Sequence, residues 1–293
     1  MNWKNWRRNG VKIYLFAKFF GTVLVVLLCF IPAWAAEKAG KDVLTPFAGE
    51  IRPWNPGTPA ANQEFSPVRA GIAPHHGLAS ETLARFYDNL PRSDNVERII
   101  LIGPDHFKAG RRNITLCPMP WRTGKGILKT DADALDALSQ TGAVGVESLP
   151  FRLEHSIGLH IVFIGRYFPD ARVVALMIQN SASLRELSRL VPVLSELLAE
   201  EGTLLILSMD FSHDKTPDEA HLEDDKSIER ILSFRTEALR DLDIDAPAAT
   251  WLFLEVLKSR GISEGFVLER TNSSEIVDSP DPFCTSYATM LFR

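Results

Sequence analysis

From Val68 onward, short apolar runs alternate with segments whose apolar positions recur every three to four residues. A compact apolar run reads as a buried strand, and a 3.6-residue period reads as an amphipathic helix. The runs predict strands over Val68–Ala73, Arg98–Ile102, Arg172–Ile178, Thr203–Ser208, Phe266–Glu269 and Thr285–Phe292. The periodic segments predict helices over Ser80–Leu90, Asp131–Thr141, His155–Tyr167, Leu184–Glu200, Leu222–Leu239 and Ala246–Ser259. Leu184, Leu187, Leu190, Leu194 and Leu197 carry the helical spacing in the fourth of these, with Pro192 positioned to kink it. Strands rich in Val, Ile and Leu, alternating with helices, require a central sheet covered on both faces. The expected fold class is α/β, a three-layer α/β/α sandwich.

The first 67 residues follow another logic. Lys4, Arg7, Arg8, Lys12 and Lys18 precede an uncharged, largely apolar run from Phe19 to Ala36 with small residues at its end. That is the pattern of a secretory signal peptide over residues 1–36. At about 18 residues the run also approaches the length of a spanning helix, which would anchor the protein with its basic end in the cytoplasm. Both readings put the domain in the periplasm or another extracytoplasmic space, secreted or anchored to the inner membrane. Residues 37–67, with Pro46, Pro53, Pro56 and Pro59 and no lasting apolar period, read as a linker or lead-in. One α/β domain over residues 68–293 follows.

Composition narrows the functions. With 45% hydrophobic residues among 293, the chain can bury a large core. A net charge of −5 and no basic cluster exclude a nucleic-acid binder, which needs a positive face. Beyond the leader only Cys117 and Cys284 remain. They read either as a disulfide formed outside the cytoplasm or, preferably, as two buried thiols. No CxxC spacing exists, so a cysteine-rich zinc site is excluded.

Five of the seven histidines fall just after an expected strand or at an expected helix start: His75, His76, His106, His155 and His213. In an open α/β sheet ligands bind beyond the carboxyl ends of the strands, so these side chains converge though far apart in sequence. Each has a plainer reading as well. Pro74–Gly77 could be an exposed turn, Asp105 could merely orient His106, and Asp210 could cap a helix. His155 and His160 lie five apart, about 140° around a helix, and so do not share a face. His221 reads as surface.

The motifs Pro74-His75-His76-Gly77, Gly103-Pro104-Asp105-His106, Glu154-His155-Ser156-Ile157, Ser208-Met209-Asp210-Phe211-Ser212-His213 and Thr285-Ser286-Tyr287-Ala288 occur in this order over most of the chain. Together they resemble the Memo family, called AmmeMemoRadiSam system protein B in bacteria. The resemblance implies a fold like that of the class III extradiol dioxygenases, with a central mixed sheet and a metal pocket at the strand ends. It implies His75 and His106 as metal ligands and His213 as an acid/base group, with Asp210 and the Glu154–His155 pair lining the pocket. His213, Asp210 and His155 are thus the catalytic candidates. Where the family has a cysteine before the last long helix, this chain offers Asp245, with Asp243 as the alternative. Two histidines and a carboxylate suit Fe(II), while copper and zinc also accept such ligands. Gly158 stands where the family carries an acidic residue, and Leu78 where it carries an aromatic one.

The expected function is an exported Memo-like metal-binding protein, read as a non-haem iron oxidoreductase acting on a small molecule. The alternatives are a non-catalytic copper- or iron-binding redox accessory and a zinc-dependent hydrolase. The resemblance further implies association with radical-SAM and AMMECR1-like proteins.

Overall fold

The computed structural model describes residues 7–8, 11–12, 43–54, 68–91, 95–277 and 281–293. In the N-terminal unit, Met1–Val43, the pair Arg7–Arg8 and Val11–Lys12 is antiparallel, and the Phe19–Ala36 run lies outside the described residues. Among the described residues no helix is long and apolar enough to cross a membrane.

In the second unit, Leu44–Arg293, the strands are Ala70–Ala73 (β1), Arg98–Pro104 (β2), Ile114–Leu116 (β3), Trp121–Thr123 (β4), Gly126–Thr130 (β5), Gly145–Val146 (β6), Arg172–Ile178 (β7), Thr203–Ser208 (β8), Gly265–Asn272 (β9) and Ser286–Phe292 (β10). The α-helices are Ser80–Asp88 (α1), Ala132–Gln140 (α2), His155–Tyr167 (α3), Leu184–Ser188 (α4), Val191–Ala199 (α5), Pro217–Leu232 (α6), Pro247–Ser259 (α7) and Ser273–Ile276 (α8). The main path of the sheet runs β9-β10-β1-β8-β2-β7-β3-β6, with β5 also pairing β7 and β4 pairing β5. β8 is parallel to both β1 and β2, and β2 is parallel to β7. β10 runs antiparallel to β1, and β3 antiparallel to β7, so the sheet is mixed.

Alternation along the strands builds two cores, one on each face. Ile100 and Ile102 of β2 join Leu205, Leu252 and Phe253 on one side, whereas Ile99 and Leu101 join Leu83, Phe163 and Ile206 on the other. The molecule is therefore the expected α/β/α sandwich. Register sets the strand ends level: Ser208 lies opposite Ala73, Leu207 opposite Ile102, and Pro104 opposite Ile178. Everything carried just past these residues meets at one edge.

The structure departs from the sequence pattern at two helices and in the lead-in, and it adds the short strands β3, β4, β5 and β6. The expected helix 184–200 is two helices broken at Arg189–Leu190, because Pro192 lacks an N–H and fits only the first turn of α5. The expected helix 222–239 begins earlier, at Pro217, behind a Thr216–Glu219 capping box, and stops at Leu232. Phe234 and Ala238 adopt left-handed backbone conformations that no helix continues through. The third departure is the lead-in. Its described part packs on the domain: Leu44 is buried, bridges to Trp121 and donates to Pro120 O at 2.8 Å.

Two glycines make room for this strap. A Cβ on Gly158 would stand 1.9 Å from the Phe47 carbonyl oxygen, and one on Gly77 would stand 1.9 Å from that of Glu50. The strap thus crosses the start of α3 and the His75–His76 loop. Gly158→Ala is expected to displace it and lower stability by about 1–3 kcal/mol in urea unfolding. Gly124, with nothing within 4 Å of its Cβ position, is the control, expected to change by no more than ~0.5 kcal/mol as alanine. Equal stability of the two variants would mean that the strap does not pack in solution.

Candidate metal centre

The loop after β1 carries His75, the loop after β2 carries His106, and α3 begins at His155. Their ring centroids are 4.9 Å (His75–His106), 5.3 Å (His75–His155) and 4.7 Å (His106–His155) apart. One ring nitrogen from each lies within 4.8 Å of the others, so the three histidines could hold a metal ion. His75 is buried, His106 exposed and His155 half-buried.

Carboxylates fix two of these rings. Glu154 is fully buried at the N-cap of α3. It accepts from the His106 backbone N–H at 2.9 Å, from His106 Nδ1 at 2.9 Å and from the Ser156 N–H at 3.0 Å. His155 Nδ1 lies 3.5 Å from the same carboxylate. A carboxylate only accepts, so His106 Nδ1 carries a proton and its Nε2 is the nitrogen turned to Asp245. Asp245 Oδ2 lies 3.4 Å from His106 Nε2 and 2.9 Å from His75 Nε2. Asp245 is itself held by Asn180, which donates to its backbone carbonyl at 2.7 Å, and its Oδ1 accepts from the Asp210 N–H at 3.1 Å. Asp210 Oδ1 in turn accepts from the His75 N–H at 3.0 Å.

The electrostatics follow from this pairing. Burial works to lower His75, but the Asp210 and Asp245 charges outweigh it and leave the imidazole raised. Burial likewise opposes protonation of His106, yet its hydrogen bonds to Asp245 and Glu154 push it up to about 10. Asp245 moves the opposite way: burial would raise it, and the two histidines hold it well below the usual carboxylate range. His155 is pulled down to about 4 by burial and by the charges of His75 and His106.

The other sequence-derived residues divide. His213 is half-buried beside His76, close enough for its charge to disfavour protonation there. Asp243 pairs with Lys215 at 3.6 Å, while Asp245 is the carboxylate that touches the histidines. Asp105 does not orient His106. It shapes its own loop by accepting from Ala109 N and Gly110 N, and it bonds Gln179. His160 lies on another face of α3 from His155 and is buried against Tyr87, whose hydroxyl is 2.9 Å from its Nδ1. His221 lies near Glu275 at the surface. Cys117 and Cys284 are buried free thiols, and burial pushes Cys117 up to about 12.

Sequence reasoning gave no role to Ser208, whose Oγ lies 2.9 Å from His75 Nδ1, to Tyr287, which bonds His76 Nδ1, or to Asn180. The available signal was position: Ser208 is the last residue of β8 and the first of a quoted motif.

The sequence profile of the family described as Memo-like protein matches residues 40–291. The chain belongs to the Memo family. A MEMO1 family protein of Methanopyrus kandleri is 25% identical over 272 residues, covering 88% of this chain and 94% of that one. A MEMO1 family protein of Pyrobaculum arsenaticum is 27% identical over 237 residues, covering 76% and 83%. Another, from Aquifex aeolicus, is 26% identical over 274 residues, covering 84% and 71%. The crystal structure of an uncharacterized Escherichia coli K12 protein covers 76% of this chain and 99% of its own. Its TM-score is 0.47 at 13% identity, a partial likeness from which nothing about activity follows. The Memo match begins ahead of the packed strap and so includes it.

Glu154→Ala would leave His106 Nδ1 and two backbone N–H groups without their acceptor. It is expected to cost about 3–5 kcal/mol in urea unfolding, as breaking a buried ionic pair does. A loss within ~0.5 kcal/mol would remove Glu154 as the organiser of the centre. His160 generates a pH dependence. Burial lowers it from 6.5 to about 3, so the unfolded chain binds a proton that the folded chain refuses between those values. Its contribution is complete above pH 6.5 and is lost as the pH falls toward 3. His160→Gln is expected to flatten urea stability against pH between about 6.5 and 4.5, and an unchanged slope would contradict the assignment.

Proposed function

We propose that this Memo protein is an exported, metal-dependent oxidoreductase of the extradiol dioxygenase type, its metal held by His75, His106 and Asp245. One observation carries the reading: two imidazole Nε2 atoms converge on a single carboxylate oxygen, at 2.9 and 3.4 Å, with a third histidine ring against them. Two imidazole nitrogens and a carboxylate oxygen can converge only around protons or a cation, and the nearby carboxylates raise both His75 and His106 against the pull of burial. The donor set fits: two histidines and one carboxylate are the facial arrangement suited to ferrous iron. Iron bound there would supply open coordination positions for oxygen and for the oxygen atoms of a substrate.

The chain's own groups do the rest. Glu154 and Asp210 hold the His106 ring and the His75 backbone in place. His155, kept neutral at working pH, borders the open side of the cluster and stacks on His106. His213, reachable from solvent, is the acid/base group in this reading, taking a proton from a substrate hydroxyl and later returning one. The substrate class, a small catecholic compound, follows from the fold resemblance. Export rests on the basic and apolar pattern of residues 1–36. Association with radical-SAM and AMMECR1-like proteins rests on the family resemblance.

A second reading draws on the histidine-rich set itself. Three imidazoles also suit copper, which would make the chain a non-catalytic metal carrier or redox accessory. A zinc hydrolase stands behind both, as zinc accepts the same ligands.

The test is metal content after oxygen-free purification without chelators, followed by oxygen uptake with a panel of catechols. The expected result is near-stoichiometric iron in the parent, none in His75→Ala/His106→Ala, and catechol-dependent oxygen consumption. His213→Ala is expected to keep its metal and lose about 10²–10⁴-fold in turnover. Copper in place of iron, with no oxygen uptake, would overturn the oxygenase reading in favour of the accessory.

A further inference from the structure

Two oxygens in close hydrogen-bond contact need a proton between them. Ser208 Oγ lies 2.6 Å from the carbonyl oxygen of Ser156, which has no proton to give. The Ser208 hydroxyl proton is therefore committed to Ser156. The same Oγ lies 2.9 Å from His75 Nδ1. With its one proton spent, Ser208 meets that nitrogen only as an acceptor, so His75 Nδ1 carries a hydrogen. His75 Nε2 is then the nitrogen left to face Asp245.

We propose that Ser208 is a positioning residue: it fixes the proton of His75 on Nδ1 and ties that ring to the helix carrying His155. The proposal rests on reading the histidine cluster as a metal centre, although the hydrogen-bond assignment needs no metal.

A second hydroxyl extends the link. Ser156 Oγ donates to Pro104 O at 2.8 Å, two residues before His106. Ser156 and Ser208 are both fully buried, so water does not compete for either hydroxyl. The contact is close as well: a Cβ on Gly103 would come within 3.1 Å of Ser156 Oγ and 3.3 Å of Ser208 Cβ. Through two hydroxyls, β8, the start of α3 and the end of β2 are joined beside the His75–His106–His155 cluster. His106 reaches the same Nδ1–H state by another route, through Glu154. The two rings are thus set independently, which supplies an internal control. A ligating imidazole is oriented by the partner of its other nitrogen, and loss of such a partner costs about 10–100-fold in metal affinity.

The experiment uses the full-length protein labelled with ¹⁵N-histidine, comparing wild type and Ser208→Ala by long-range ¹H–¹⁵N imidazole spectra, metal-free and with zinc as a diamagnetic probe. In wild type His75 Nδ1 is expected to be protonated in both states. In Ser208→Ala part of the population is expected to show a bare Nδ1, with zinc bound about 10–100-fold more weakly and the His106 signals unchanged. A bare His75 Nδ1 in metal-free wild type would overturn the proposal without any variant, whether or not Ser208→Ala folds. An unchanged His75 pattern and unchanged zinc affinity in a folded Ser208→Ala would overturn it too. If zinc does not bind wild type while the Nδ1 proton of His75 is kept in wild type and partly lost in a folded Ser208→Ala, the metal reading fails and the Ser208 assignment stands.

Discussion

A carboxylate removed from water must find donors or take up a proton, and Glu154 has found three. Its oxygens hold the Ser156 and His106 backbone N–H groups and the His106 ring. The N-terminus of α3 adds a favourable dipole at the same point. These bonds lock the helix to the loop after β2, and the rest of the site is built on that lock. His155 is the next residue in the helix, Ser156 the one that receives Ser208, and Gly158 the one over which the N-terminal strap passes. A shift of α3 would move all of them together.

The cluster sorts its histidines into two kinds. His75 and His106 share Asp245, and the carboxylates around them raise both imidazoles against the pull of burial. Burial, and then the positive charge of His75 and His106, pull His155 down to about 4 despite Glu154. A metal ion would take the place of the shared protons, and its charge would suit the Asp245 and Glu154 carboxylates already ionised there. The three rings therefore sit in graded electrostatic surroundings, His75 and His106 raised and His155 lowered.

Much of the fold was legible in the chain. The strands Arg172–Ile178 and Thr203–Ser208 and the helix His155–Tyr167 follow the apolar pattern end to end, because buried parallel strands and core helices are written in side chains facing one environment. The strands β3, β4 and β6 are too short to show a period. The strap was silent because its packing depends on what Gly77 and Gly158 lack. At the site, His75 and His106 stood out by their place after strands. The contact of His155 with both depends on how α3 docks, which no local pattern records. Ser208 was invisible for a similar reason: a serine ending a strand reads as punctuation until its two partners, 52 and 133 residues away, are seen.

The central claim is that these side chains surround one metal ion. Anomalous X-ray diffraction from crystals of the metal-loaded domain, recorded on both sides of the iron, copper and zinc edges, tests it most directly. The account predicts a single peak within about 2.0–2.2 Å of His75 Nε2, His106 Nε2 and an Asp245 oxygen, with His155 beside it. A peak elsewhere, or none with these rings well ordered after metal addition, would contradict it.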